Sequence, residues 1–334
     1  MNIKKIGLTA LAGSLAMVSA QAVELAVTGK TEVTYISKAD GSTGNPFGNG
    51  NMISFAGSGD VNGMTASYVA NMQDGGQGNT TTSEVFASSG LTLDMGDFGK
   101  VGIDNGVGSF GAGTIDDMMP YAYEEVWTYA GSETSSGKAI GGANQNVIGY
   151  SIDYMGAAFS LEIDPGQKAA AGATGDGGST GIDTSQGGYN WALTGSPVDG
   201  LTMGLGVGEE TIYDTTDASK PTYGTIFAKY AVGGVTMGYQ MSEERGGTTG
   251  TVATDSEFYG ISYSVNENIA VSYNEVNSDF YSTGAVEEST SGIGASYTMG
   301  SAAVRLLSAK IDNKGGVSGA VDETVTELSL MLAF

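Results

Sequence analysis

The sequence contains no cysteine and no histidine, and it has only 5 prolines and 13 Lys and Arg. Without Cys and His it can form no disulfide, no thiolate nucleophile, no Ser-His-Asp triad and none of the usual zinc sites. The 37 Asp and Glu give a formal net charge of −24 at pH 7. A chain this acidic lacks the basic footprint of a nucleic-acid-binding protein. We therefore expect no nucleic acid partner, no metal and no cofactor.

Long apolar runs are also missing, except near the start of the chain. Residues 1–22 read MNIKKIGLTALAGSLAMVSAQA, in which two lysines precede an apolar run and Ala-Gln-Ala follows it. The run is too short to span a membrane as a helix, and the three small residues fit a cleavage site. We predict a secretory signal peptide over 1–22, cleaved between Ala22 and Val23. Loss of its two lysines changes the net charge from −24 to −26 for the mature chain, 23–334.

Glycine and tyrosine are abundant, with 55 and 17 residues, and the mature chain alternates apolar and polar residues. In LAVTGKTEVTY (25–35), Leu25 and Val27 share one face and Lys30 and Glu32 the other. A period of two predicts half-buried β-strands. We predict 16 strands, at 24–37, 51–60, 63–73, 83–95, 99–105, 145–155, 157–163, 188–196, 200–208, 222–232, 234–242, 256–265, 268–276, 290–299, 301–311 and 323–334.

The connections between these strands alternate in length. Seven short turns rich in Gly, Asn and Asp alternate with eight long polar loops. The long loops are near 38–50, 74–82, 106–144, 164–187, 209–221, 243–255, 277–289 and 312–322. This asymmetry is typical of a transmembrane β-barrel with short periplasmic turns and long extracellular loops. A soluble secreted sandwich or solenoid would explain the strands and turns, but not the alternation in loop length.

The chain ends in TELSLMLAF, which has the pattern of a paired strand. Leu328, Leu330, Leu332 and Phe334 share one parity, and Glu327 lies on the other. A barrel in lipid can have no free edge, so we predict that this strand pairs with the first one. Phe334 would then lie in the aromatic girdle at the membrane interface.

Three stretches of the chain carry a family resemblance. Residues 93–106 read LDMGDFGKVGIDNG, residues 144–163 read NQNVIGYSIDYMGAAFSLEI, and the chain ends in ELSLMLAF. In this order and spacing they resemble the G-x-F-G-x-V turn, the stretch after the longest loop and the terminal strand of general diffusion porins of Gram-negative bacteria. The chain departs from that family at Asp104-Asn105, where the family has Gly-Arg. It also lacks the enteric Pro-Glu-Phe-Gly-Gly signature, to which GSFGAG (108–113) is the nearest match.

The resemblance implies a homotrimer of 16-stranded barrels in the lipid bilayer of the outer membrane. Small hydrophilic solutes and ions would diffuse passively through it, and the barrel-assembly machinery would read the last strand through Phe334. The alternative is a non-conducting surface barrel that serves as an adhesin, a receptor or a structural protein. We expect no enzymatic activity, because the chain has no histidine for a Ser-His hydrolase and nothing completes an acid–base site.

The third and longest loop, 106–144, is the one that folds into the barrel in the resembled family. Its acidic residues include Asp116, Asp117, Glu124 and Glu125, and it also carries Met, Tyr and Trp residues that favour packing on a wall. We predict that these four carboxylates line the constriction and make the pore prefer cations. A solvated outer loop is the alternative.

Basic residues that could face these acids are few. Arg305 lies between Val304 and Leu306, which would take the lipid face, so we predict that it points into the lumen. Lys30 is expected there too, and Lys229 is a further candidate although its parity is ambiguous. We predict a transverse field between these three basic residues and the loop acids, with plain solvation of the lumen as the alternative.

Overall fold

The computed structural model describes residues 24–38, 44–74, 87–129, 146–165, 185–213, 218–246, 253–320 and 322–334. The predicted signal peptide, with Ala22 and Val23 at its cleavage site, lies outside these residues, as does the second part of the longest loop (130–145).

The regular structure of the described residues is almost entirely β-strand. The strands are β1 (Glu24–Lys38), β2 (Phe47–Val61), β3 (Met64–Asp74), β4 (Ser88–Asp94), β5 (Lys100–Asn105), β6 (Val147–Tyr154), β7 (Ala157–Asp164), β8 (Ser185–Val198), β9 (Leu201–Tyr213), β10 (Ala218–Ser219), β11 (Thr222–Val232), β12 (Val235–Arg245), β13 (Thr254–Ser264), β14 (Ile269–Phe280), β15 (Glu288–Met299), β16 (Ala302–Asp312) and β17 (Glu323–Ala333). Short 3₁₀ helices lie at Gly96–Phe98, Ala112–Ile115, Val126–Tyr129 and Lys314–Gly316. Among the described residues, no helix has both the length and the apolar character needed to cross a bilayer.

Sixteen of these strands form one closed antiparallel barrel. Each pairs with the strands before and after it, except that β9 pairs with β11 because the two-residue β10 pairs with β9 alone. The barrel closes between β1 and β17, from Lys30 opposite Ala333 to Lys38 opposite Val325. The predicted all-β barrel of 16 antiparallel strands, closed by its first and last strands, is confirmed.

Side chains alternate between the outer surface and the lumen. On β1, Leu25 and Val27 are 64% and 56% exposed on the outer surface, whereas Glu32 contacts a loop side chain inside the barrel. Asn274 and Thr290 are buried on the lumen side. A soluble sandwich would bury the aliphatic face and expose the polar one, so this arrangement fits a wall that is surrounded by lipid.

The predicted strands match the observed ones individually, and the main differences lie at the extracellular ends. Strands β9 and β14 run to Tyr213 and Phe280, beyond their predicted ends at 208 and 276. Backbone pairing continues there although polar residues become frequent on both faces, which removes the alternation signal. At the opposite, periplasmic end of the barrel, the turn between β2 and β3 has φ angles of 54° at Asn62 and 82° at Gly63, as a type I′ hairpin turn requires.

The terminal residue takes part in barrel closure. The Gly29 amide donates to the Phe334 carbonyl oxygen at 2.7 Å, and the Phe334 amide donates to the Gly29 oxygen at 2.9 Å. The Phe334 ring lies over Gly29, where a Cβ would come within 2.5 Å of the ring atom Cε2. The missing side chain of Gly29 therefore makes room for the ring, which remains 76% exposed on the outer surface.

Replacing Gly29 by Val should weaken this closure. The new side chain would displace the Phe334 ring, and overpacking of this kind costs roughly 1–3 kcal/mol. We expect the barrel to unfold at a lower temperature in detergent, measured by heat-modifiable migration on gels. Gly195→Val is the control, because the nearest atom to its Cβ is a backbone oxygen at 3.6 Å. Equal unfolding temperatures for the two variants would contradict the role given to Gly29.

Candidate pore constriction

The loop after β5 is turned into the barrel by Asp104. Its carboxylate accepts hydrogen bonds from the backbone amides of Val107 at 2.6 Å and Ser109 at 2.7 Å. This bonding accounts for the aspartate at position 104, one of the two positions where the resembled family has a Gly-Arg pair. The Phe110 ring then packs directly on a lumen-facing glycine of β6, Gly149, where a Cβ would overlap it.

Polar side chains of the lumen anchor the loop backbone as it follows the inner wall. The Gly111 amide donates to Ser160 of β7 at 2.8 Å, and the Ala112 amide donates to Asn190 of β8 at 2.6 Å. Further along, the Met118 amide donates to Gln240 of β12 at 3.2 Å, and the Ala122 amide donates to Ser272 of β14 at 3.0 Å. Asn274 also donates to the Pro120 oxygen at 3.0 Å. The segment from 106 to 129 therefore lies against the wall rather than extending outward from the barrel.

Apolar packing holds the same segment. Ile115 packs against Ala192 and Phe227 of the wall. Further along, Met119 and Trp127 pack in a cluster with wall residues of β13, β14 and β16, and the Trp127 ring lies 5.0 Å from the Phe258 ring. Burial of these side chains favours the inserted loop through the hydrophobic effect, although the lumen around it is polar.

Glycines beneath the loop are functional positions that sequence reasoning missed. At Gly238 and Gly260, a Cβ would come within 2.9 and 2.8 Å of Pro120. A Cβ on Gly102 or Gly149 would likewise come too close to the Phe110 ring, and Gly294 lies near Ala122. The available signal was glycine recurring at lumen-facing parity in neighbouring strands, which marks a close approach by another segment.

The four predicted loop acids fall into two pairs on the described segment. Asp116 and Asp117 follow the first 3₁₀ turn of the loop and are exposed towards the lumen, and Trp127 Nε1 donates to Asp117 Oδ1 at 3.2 Å. Glu124 and Glu125 precede the second turn and are half-buried.

The local environment favours the neutral form of these acids. Although Asp116 is accessible from the lumen, the surrounding loop and wall partly desolvate its carboxyl group and raise its pKa to about 6, with a further increase from the nearby Asp117 carboxylate. Burial also raises the pKa of Glu125 to about 7, again assisted by Asp117, and it raises the pKa of Asp117 itself. For Glu124, burial and then the carboxylates of Glu327 and Glu32 raise the pKa to about 7.

The predicted basic residues do not act on all four acids. Arg305 and Lys30 lower the pKa of Glu124, although less than burial raises it. Arg305 Nη1 also lies 3.7 Å from Glu32 Oε1. Lys229 has the same parity as Phe227, which faces the lumen. Lys229 therefore also lies on the lumen face of β11. Within the described ranges, no ion pair joins Lys229 to a loop acid.

Sequence comparison decides the family. A profile of Gram-negative porins matches residues 7–316. The chain belongs to the Gram-negative porin family. This porin is accordingly a channel of the outer membrane and not an enzyme. No curated protein matches it in sequence.

Solved porin structures share the fold of this porin at low sequence identity. An anion-selective porin from Comamonas acidovorans is 16% identical, with a TM-score of 0.65 over 94% of this chain and 100% of that chain. A loop-deletion variant of OmpT, an outer membrane protein of Vibrio cholerae, is 12% identical, with a TM-score of 0.65 over 94% and 100%. A mutant of the Rh. blastica porin is 15% identical, with a TM-score of 0.59 over 93% and 100%. These likenesses concern the fold alone.

The raised pKa values predict that the loop carboxyl groups take up protons at a pH well above the one at which ordinary carboxyl groups do. A carboxyl group is neutral below its pKa, so Asp116, Glu124 and Glu125 should lose charge as the pH falls from about 8 to about 5. Infrared difference spectra between these two pH values should show a protonated-carboxyl band. The band should shrink in the Asp116→Asn, Glu124→Gln, Glu125→Gln triple variant. An undiminished band would contradict the raised pKa values.

Proposed function

We propose that this porin is a passive diffusion channel for small hydrophilic solutes and ions, and that it prefers cations. The observation that carries the proposal is the position of Asp116, Asp117, Glu124 and Glu125 on a loop segment that lies against the inner wall. Fixed carboxylates in a narrow aqueous passage attract cations and repel anions. In this proposal the third loop, 106–144, forms the constriction.

The uneven distribution of basic residues supports the same preference. Lys30 and Arg305 act on Glu124, and Arg305 also lies beside the Glu32 carboxylate. Among the described residues, no basic side chain is a cause of the raised pKa of Asp116, Asp117 or Glu125. Within the part of the chain that the structure describes, basic residues therefore partly offset the charge at Glu124, and none does so at the other three acids. At neutral pH the acids with a pKa near 7 retain part of their charge, so the preference should strengthen as the pH rises.

The anion-selective Comamonas porin does not decide the ion preference of this chain. At 16% identity its likeness concerns the barrel, whereas selectivity depends on which charges line the throat. The alternative of a non-conducting surface barrel is not favoured by the anchored loop, because an adhesin or receptor would present its longest loop outside the barrel.

Neutralising the loop acids should abolish most of the cation preference. The quadruple variant Asp116→Asn, Asp117→Asn, Glu124→Gln, Glu125→Gln should move the reversal potential in a salt gradient towards zero, measured in planar bilayers. Exposed acids outside the barrel are screened over about 8 Å at physiological salt. Neutralising four of them should hardly change the potential: Asp97, Asp199, Glu267 and Glu287. An equal shift from both sets would show that the loop does not form the selective throat.

We also propose that the porin assembles as a homotrimer through the outer faces of β1 to β4. These faces carry small or polar residues such as Asn51, Gly57 and Ser89. Small residues let two barrel walls approach closely, which matters because lipid provides no hydrophobic drive for association. Phe334, beside Gly29, would have a second role as the residue that the barrel-assembly machinery reads.

A charge placed on this face should break the trimer. Gly57→Arg should shift the mass in mild detergent from three chains towards one, because the arginine would be buried between barrel walls. Ala228→Arg is the control, since it adds the same charge to the outer face of β11, on the other side of the barrel. A wild type that is monomeric in every mild detergent would contradict the trimer, and trimeric Gly57→Arg would contradict the location of the interface.

A further inference from the structure

The last described part of the loop, 123–129, is held differently from the rest. From Gly111 to Ala122 the hydrogen-bonding wall anchors are neutral hydroxyl and amide groups that bond to the loop backbone. In the described residues from Tyr123 onward, hydrogen bonds to the wall come from side chains instead. Tyr123 and Tyr129 donate their hydroxyl groups to wall carboxylates.

Two glutamates from two different strands receive these hydroxyl groups. Tyr123 Oη lies 2.9 Å from Glu327 Oε1 of β17 and 3.2 Å from Glu32 Oε1 of β1. The Tyr129 hydroxyl donates to the other oxygen of Glu327, Oε2. The Ser329 hydroxyl donates to Glu32 and so holds that carboxylate in place.

Arg305 of β16 completes the cluster. Its guanidinium lies 3.7 Å from Glu32 Oε1, and its central carbon is 5.3 Å from the centre of the Tyr123 ring. The cation thus offsets part of the carboxylate charge and also contacts the face of the ring that the carboxylates hold. Arg305 therefore supports the anchor in addition to its effect on Glu124.

The position of this cluster gives it influence over the throat. Glu124 and Glu125 lie between Tyr123 and Tyr129 in the chain, and the described part of the chain shows no hydrogen bond from either acid to the wall. Hydrogen bonds to a carboxylate are about twice as strong as those between neutral groups. The two tyrosines therefore fix the segment that carries half of the constriction acids.

We propose that Glu327 and Glu32 are positioning residues of the constriction. They do not themselves set the ion preference by lining the throat. They hold Tyr123 and Tyr129, and through them they determine where Glu124 and Glu125 stand in the lumen. Because the two glutamates come from the strands that close the barrel, the anchor is complete only once β1 and β17 have paired. The inference rests on the proposed function, since it concerns the same throat.

Removing the two hydroxyl groups tests this role. The double variant Tyr123→Phe, Tyr129→Phe keeps both rings and loses only the hydrogen bonds to Glu327 and Glu32. We expect a reversal potential shifted towards zero and a noisier open-channel current in planar bilayers, because Glu124 and Glu125 are no longer fixed. Tyr150→Phe is the matched control, since its hydroxyl bonds to the Phe98 oxygen at 3.0 Å in a periplasmic turn. The control should keep the wild-type potential and noise.

A graded series at Glu327 keeps the test valid if the double variant fails to fold. Glu327→Gln retains one oxygen that can accept a tyrosine hydroxyl, so it should shift the potential less than Glu327→Ala. Wild-type potential and noise in both the double tyrosine variant and Glu327→Ala, as folded channels, would overturn the positioning role. That result would leave the proposed channel intact. A wild type that does not conduct would overturn the proposed function and this inference together.

Discussion

The structure depends on one constraint, which is that no backbone N–H or C=O group can remain unpaired in lipid. A sheet satisfies this requirement only when it closes on itself, and here closure is achieved by β1 and β17. Pairing runs from Lys30–Lys38 on one strand against Val325–Ala333 on the other, and Phe334 extends it to Gly29. The alternation of side chains follows from closure, because each strand then has one face in lipid and the other in the lumen.

Closure also leaves a wide lumen, part of which the third loop fills. A barrel of 16 strands encloses a wide aqueous space, which its lumen-facing side chains do not fill. The loop occupies part of it by using Ser, Asn and Gln residues as anchors and glycines as the surface on which it rests. In its last described part the loop is bonded to Glu32 and Glu327, so the loop and the closing strands share one hydrogen-bonded cluster. The carboxylates that we propose to line the constriction are thus carried by a segment whose position depends on closure.

Much of the fold could be predicted from the sequence because the signal for a strand in lipid is local. The alternation of Leu328, Leu330 and Leu332 identifies the outer face of the last strand without any knowledge of its neighbours. The same parity argument placed Arg305 in the lumen, where it contacts Glu32 and Tyr123. It left Lys229 ambiguous, because Phe227 looked like a lipid-facing residue and is in fact buried by the loop.

The candidate site was less predictable because it is built from contacts between distant segments. The loop acids could be named, since they stand together in the longest loop. Their partners could not be named, because Glu32 and Glu327 are 295 positions apart and come together only when β1 pairs with β17, where both accept the Tyr123 hydroxyl. The glycines under the loop read as ordinary strand glycines until the loop is placed on them. Long-range packing, rather than local pattern, decides each of these features.

The most direct test of the account is the wild-type current across a planar bilayer in a potassium chloride gradient. We predict stable conductance steps and a reversal potential whose sign shows that potassium permeates better than chloride. A reversal potential of the opposite sign would contradict the acidic throat, and the absence of conductance steps from correctly folded protein would contradict the open channel itself.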